Sequence, residues 1–206
     1  MTLFAGIAAV APGASIPPNL PDALARSLSR NPADRPTLLR QANVFFAQIA
    51  LPFESVPHAV TDVAGNITLL AGDPLLPNGR ETAVAMLHES LLQDSDNLLR
   101  QARGQYCAAH WHAAGRRIVL TADKLALRPI YYALQDGVAY FSTALRVLES
   151  LGVLSRRVNL RGVAEFAALG YSLGTRTPYD RVARIEAGVQ IVIDANGVDR
   201  RAYWRW

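Results

Sequence analysis

Tyr106-Cys107-Ala108-Ala109-His110-Trp111, then Ala113-Ala114-Gly115, then Ile118-Val119-Leu120-Thr121 is the stretch on which the fold class turns. Two apolar runs flank a short turn, the pattern of a β-hairpin. A second hairpin follows: Pro129-Ile130-Tyr131-Tyr132-Ala133, the turn Gln135-Asp136-Gly137, then Val138 to Ser142. A third runs from Val189 to Asp194 and from Val198 to Tyr203 around Ala195-Asn196-Gly197, with Asn-Gly as a strong turn signal. Between the second and third, Thr143 to Leu151 and Leu160 to Leu169 read as amphipathic helices. Working back towards the N-terminus, Leu3 to Val10, Asn43 to Leu51 and Ile67 to Ala71 read as strands. Asp22 to Ser29, Glu81 to Leu92 and Asp96 to Arg103 read as helices. Hairpins interleaved with helices predict an α+β sandwich and argue against a parallel doubly wound sheet.

Composition narrows the function classes. Of 206 residues, half are hydrophobic and 18% charged, which excludes a disordered chain and allows a substantial core. No low-complexity tract divides it, so residues 1–206 read as a single domain. The net charge is +4, but Lys124 is the one lysine and the arginines are scattered, in pairs at most. A nucleic-acid surface would cluster them on one face. No apolar run approaches the roughly 20 residues of a membrane span. Leu3 to Val10 looks like a signal-peptide core, yet the first basic residue is Arg26, so the positive leader is missing and a cytoplasmic location is expected.

Routine catalytic motifs are absent: no phosphate loop, no dinucleotide fingerprint, no nucleophile elbow. His110 and His112 alternate around Trp111, but no third ligand follows at a useful spacing; they read as polar residues on a strand's solvent face, and no metal is expected. Cys107, the single cysteine, sits in an apolar run and reads as a buried small hydrophobe.

Thr121-Ala122-Asp123-Lys124-Leu125-Ala126-Leu127-Arg128-Pro129-Ile130-Tyr131-Tyr132 resembles the "A-R-D-x-F-G-x-K/R-P-L-Y-Y" segment of class II glutamine amidotransferase domains. The asparagine synthetases are the nearest type. In the same order, Gly104-Gln105-Tyr106 resembles "G-M-F", and Tyr140-Phe141-Ser142-Thr143-Ala144-Leu145 resembles "F-A-S-E-I-K". Gly170 to Thr177 looks like "G-Y-x-P-G-x-R-T", Ile185-Glu186-Ala187-Gly188 like "L-P-P-G", and Tyr203-Trp204 like a closing "Y-W". The series covers about Gly104 to Trp206, half of the chain.

The resemblance implies an N-terminal-nucleophile (Ntn-hydrolase-like) fold, a four-layer αββα sandwich of two antiparallel sheets. In active members a cysteine exposed by removal of the initiator Met attacks the glutamine amide, with its own α-amine as base. An Asn-Gly pair supplies the oxyanion hole, and an Arg and an Asp grip the amino acid. This sequence departs at each point. Thr2 stands at the nucleophile position, and Ala71-Gly72-Asp73 replaces the "N-G-E" of the oxyanion loop. No Arg lies between Arg40 and Arg80, and Glu81 is the nearest carboxylate to the expected Asp. The family's early "R-G-P-D" is also missing. Ala71, Gly72, Asp73 and Glu81 are therefore degenerate glutamine-pocket positions.

Related degenerate domains occur in β-lactam synthetases and lasso-peptide macrolactam synthetases, which adenylate a carboxylate and attack it with an amine of their own substrate. The resemblance thus implies a glutaminase-inactive domain serving as scaffold for an ATP-dependent synthetase domain, joined in cis or as a separate subunit. ATP and Mg belong to that domain, whose "S-G-G-x-D-S" loop is not in this sequence; no cofactor is expected for residues 1–206. A peptide substrate or biosynthetic partner proteins are further expected partners. Arg128, Pro129, Tyr131, Tyr203, Trp204 and Trp206 form the expected partner interface, since two terminal tryptophans are hard to bury in the domain itself. Two alternatives stay open: a glutamine hydrolase using Thr2, and a stand-alone interaction module.

Overall fold

A computed structural model describes residues 2–50, 57–77 and 79–205. Its first strand, β1 (Leu3–Ala9), is buried along its whole length, as a continuous apolar run requires. Phe4 and Ala8 point into the space between two sheets, while Leu3, Ala5 and Ile7 point outward beneath helices. Asn43 to Leu51 yields β3 (Val44–Ile49), paired antiparallel with β1. On the other side of β1 lies β9 (Val138–Ser142), joined to β8 (Tyr131–Gln135) by the tight turn Asp136-Gly137, both at positive φ. Two short strands complete this sheet: β2 (Thr37–Gln41) and β10 (Ala183–Arg184), giving the order β10-β8-β9-β1-β3-β2.

The second sheet is built on the hairpin β6 (Arg103–His112) and β7 (Arg117–Ala122), flanked by β5 (Ile67–Leu75) and the C-terminal pair β11 (Val189–Asp194) and β12 (Gly197–Ala202). With β4 (Ala59–Thr61) its order is β12-β11-β7-β6-β5-β4, all antiparallel. The predicted strands are present. Three more, β2, β4 and β10, leave no signal in the sequence; all are short edge strands whose half-exposed residues give no clear alternation.

The inner faces of the two sheets form the central core around Phe4, Phe46, Phe141, Trp111 and Ile191. Phe141 meets Phe46 edge-on, centroids 5.3 Å apart. Outside the first sheet lie α1 (Leu20–Leu28) and α4 (Leu145–Ser150), with Leu20, Leu24 and Leu28 inward at four-residue spacing. The Arg146 guanidinium donates to the carbonyls of Ser27 and Leu28, the open C-terminal end of α1. Outside the second sheet lie α2 (Ala83–Leu92) and α3 (Asn97–Gln101), through Val84, Leu87, Leu91 and Leu99. The layers run helix, sheet, sheet, helix: the expected αββα sandwich.

Helix α5 (Leu160–Leu169) lies outside these layers. Asn159 caps it, its Oδ1 accepting from the Gly162 amide, and Gly162 is its one buried residue. Glu165 accepts from Arg176 and from the Leu173 amide, stapling the loop 170–177 to the helix. That arrangement, with Arg176 the main cause, holds the Glu165 carboxyl down at about 2. Leu160, Val163, Phe166 and Leu169 remain exposed. No helix among the described residues is long and apolar enough to cross a membrane.

Candidate functional site

At the start of β1, Thr2 is buried at one mouth of the sandwich. It shares a cleft of about 160 Å³ with Leu3, Ala71, Gln105, Leu127, Arg128, Pro129 and Thr143. The Thr2 hydroxyl lies 3.5 Å from His58 Nε2. Gln48 anchors that side, its amide donating to the carbonyls of His58 and Leu70 at 3.0 Å each. On the β9 side, the Thr143 hydroxyl accepts from the Phe4 amide, and Ser142 and Thr143 both reach the Phe4 carbonyl. The first residues of β1 are therefore held from both neighbouring strands.

Asp123 builds the opposite wall. Its buried carboxylate accepts from the backbone amides of Leu125 at 2.8 Å, and of Leu127 and Arg128 at 3.4 Å. The loop turns back at Ala126, which adopts φ +49. Arg128 emerges from that loop against β5, and Gly72 makes room for it. At φ +96, Gly72 would place a Cβ against the Gln105 carbonyl and 2.8 Å from Arg128 Nε. The sequence places Arg128 and Pro129 on a partner interface, but the structure sets both in the Thr2 cleft.

The degenerate pocket positions separate. Ala71 lines the Thr2 cleft with a methyl group only. Gly72 and Asp73 line a smaller neighbouring cleft with His58 and Arg80, where Asp73 pairs with Arg80 at 2.5 Å. Glu81 is exposed and borders neither.

The expected interface is corrected at Tyr203. That ring is buried and its hydroxyl donates to the Ala122 carbonyl at 2.6 Å; burial, with Tyr106 beside it, pushes its pKa up. Trp204 is partly buried against the α2–α3 side, with the Lys124 ammonium 6.0 Å from its ring centre. The domain therefore covers much of its own C-terminal aromatics, whereas Trp206 lies outside the described residues. Tyr131 is half-buried and lines a separate cleft with Phe166, Tyr171, Arg176 and Arg184.

A second correction concerns His110. It does not face solvent: α2 covers that side of the sheet and leaves it fully buried. Thr68 Oγ1 lies 2.8 Å from His110 Nδ1 and 2.8 Å from His88 Nδ1, and His88 Nε2 lies 3.4 Å from Asp62. Burial first, then the neighbouring His88, His112 and Arg117, push the His110 pKa down to about 3, Asp62 opposing. This Asp-His-Thr series resembles a hydrolase triad in composition, but its hydroxyl is fully enclosed and no described cleft reaches it. No group of His, Cys, Asp or Glu among the described residues could hold a metal. Cys107 is buried between the sheets, and burial pushes its thiol pKa up, as befits a packing residue.

Two stacked antiparallel sheets between helical layers, with a cleft at the N-terminal end of a central strand, define the architecture of Ntn-type amidotransferase domains. Residues 82–204, more than half of the chain, match the family described as "Glutamine amidotransferase domain", and the chain belongs to that family. Among solved structures it is similar to one titled "Structure of the allosteric regulatory enzyme of purine biosynthesis", at 13% identity and TM-score 0.52. It also matches glutamine phosphoribosylpyrophosphate (PRPP) amidotransferase from B. subtilis complexed with ADP and GMP, at 12% identity and TM-score 0.47. Each match covers 98% of this chain and 43% of the other, so the chain spans less than half the length of these proteins. No curated protein sequence matches it.

Proposed function

We propose that this amidotransferase-like domain does not hydrolyse glutamine and serves as scaffold for an ATP-dependent, amide-bond-forming synthetase domain of the asparagine synthetase type. The lasso-peptide macrolactam cyclase is the favoured relative. The observation that carries this reading is Ala71: in the cleft beside Thr2, a methyl group occupies the position of the motif's oxyanion asparagine. Losing one such donor costs on the order of a hundredfold or more in rate. In this reading ammonia release would compete with the substrate amine, so losing it is chemically sensible. ATP and Mg belong to the synthetase domain and have no role in the Thr2 cleft. The exposed apolar face of α5, with Phe166 59% accessible, supports a covering partner.

A second reading, a Thr2-dependent glutamine hydrolase, is favoured by one observation: the Thr2 hydroxyl lies 3.5 Å from an imidazole nitrogen of His58. It requires removal of Met1, which intact mass reports. Glutamate release from glutamine, measured on the purified chain beside Thr2→Ala, decides between the two. The scaffold reading expects release from neither protein; release that disappears in Thr2→Ala overturns it.

A further inference from the structure

Helix α5 has the composition of a buried helix in an exposed place. From Leu160 to Leu169 its charged residues are Arg161 and Glu165 alone, yet Gly162 is its one buried residue. A helix apolar on nearly every side belongs in an interior. The fold nonetheless fixes it where it is. Gly162 lets the helix close on the Thr177 carbonyl, where a Cβ would collide, and the Ser172 hydroxyl donates to the Gly162 carbonyl at 3.1 Å. Gly170 ends the helix at φ +79, and the Glu165–Arg176 pair ties down the loop that follows. Between that loop, β8 and α4 lies a cleft of about 200 Å³, walled by Tyr131, Leu145, Phe166, Tyr171 and Arg184. Among the described residues Arg184 meets no carboxylate: its Nε is sealed without a partner, and its Nη2 has a long contact of 3.5 Å to the Gly174 carbonyl. Around the helix Arg157, Arg161, Arg176 and Arg184 outnumber Glu165 and Asp180, both already paired with arginines, so the face is net basic.

We propose that this face docks an acidic polypeptide segment, one apolar or aromatic side chain filling the cleft and a neighbouring carboxylate meeting Arg184. This docking role deepens, and rests on, the reading of α5 as the face a partner covers. Charge selects the occupant. A second copy would bring basic face against basic face, whereas an acidic segment neutralises it. The concave, aromatic-walled cleft separates a polypeptide from a bilayer, which presents no anchor side chain and leaves the cleft unfilled. A cavity of about 150 Å³ holds a benzene ring, so this one takes a single phenyl or leucine side chain. The planar guanidinium on its wall then offers a carboxylate beside that anchor a charge-assisted hydrogen bond.

Selection of a phage-displayed library of random linear peptides on the whole chain, with Phe166→Asp as counter-target, tests the proposal. Phe166 is exposed, so the substitution leaves the core intact, and circular dichroism verifies this. Peptides retained by the parent chain and lost on Phe166→Asp carry an aromatic residue or leucine flanked by Asp or Glu. A synthetic peptide of the selected sequence shifts the amide resonances of Gly170, Ser172 and Arg184. Arg184→Gln weakens its binding about tenfold, and so does replacing the peptide's acids by their amides. Should Arg184→Gln fail to fold, the acid-to-amide comparison on the parent chain decides. Enrichment of basic or uncharged peptides, no enrichment over the counter-target, or equal affinity in a folded Arg184→Gln overturns the proposal. A sedimenting dimer that Phe166→Asp abolishes overturns it in favour of a second copy. Phe166-dependent binding to phosphatidylglycerol vesicles overturns it in favour of a membrane. Glutamate release from glutamine refutes the inactive reading without touching the peptide selection. A failed selection without release removes the docking role and leaves the inactive reading intact.

Discussion

Acidification isolates the contribution of His110. The ring is fully buried, accepts or donates at Thr68 through Nδ1, and has its pKa pressed from 6.5 to about 3. Because the folded pKa is depressed, the unfolded chain binds more protons throughout the window between those values. The stability tied to a neutral His110 is complete above about pH 6.5 and falls by about 1.4 kcal/mol per pH unit as the solution is acidified towards pH 3. Between about pH 7 and pH 5 the loss is about 2 kcal/mol, a large share of a domain's net stability. The groups facing His110 are His88 from α2, His112 and Arg117 from the hairpin, and Asp62 before β5. Asp62 has a lowered pKa, so its own loss comes at lower pH than this window. His110→Asn keeps a side-chain partner for Thr68 and removes the titration. Urea unfolding followed by tryptophan fluorescence at the two pH values gives both stabilities. The variant starts lower, from the smaller side chain, but its pH-dependent loss shrinks by about 2 kcal/mol relative to the parent. Equal losses in the two proteins refute the assignment of the acid sensitivity to this ring.

Three further substitutions test the packing. Gly6→Ala puts a methyl group against Phe141 and 2.5 Å from Phe46 Cδ1, so thermal melting shows a loss of about 3 kcal/mol or a failure to fold. Ala126→Gly relieves the left-handed backbone at φ +49, partly offset by greater unfolded-state freedom, and raises the melting free energy by about 0.5–1 kcal/mol. Tyr203→Phe strips the donor from the buried Ala122 carbonyl and lowers stability by about 1–2 kcal/mol in urea, with no change in oligomeric state. A Tyr203 exposed to a partner would show the reverse pattern.

What sequence reasoning recovers depends on whether the signal is local. β1 is legible because a strand covered on both faces must be apolar throughout, and the β8–β9 hairpin because Asp136-Gly137 is turn chemistry readable in isolation. β4 and β10 have three and two residues, too few for any period to emerge. His110 shows the limit of alternation: the period says which residues share a face, but not that α2, from another part of the chain, closes over that face. Arg128 shows the same limit at the site. Its motif is plain in the sequence, while the direction of its side chain is set by Asp123 and by the missing Cβ of Gly72. Tyr203 misleads because a terminal aromatic carries no mark of the Ala122 carbonyl that receives it.

Helix α5 contributes Gly162 alone to the buried interior and is otherwise secured by its cap and the Glu165–Arg176 staple. Opening it exposes little additional apolar surface, so it can fray without disturbing either sheet. Its amides therefore exchange with deuterium well ahead of those in β1, β6 and β7, whose exchange waits on global unfolding. Among the described helices, α5 is the one a protease opens first, and anything that lies on its exposed side slows both events there while leaving the sandwich unchanged.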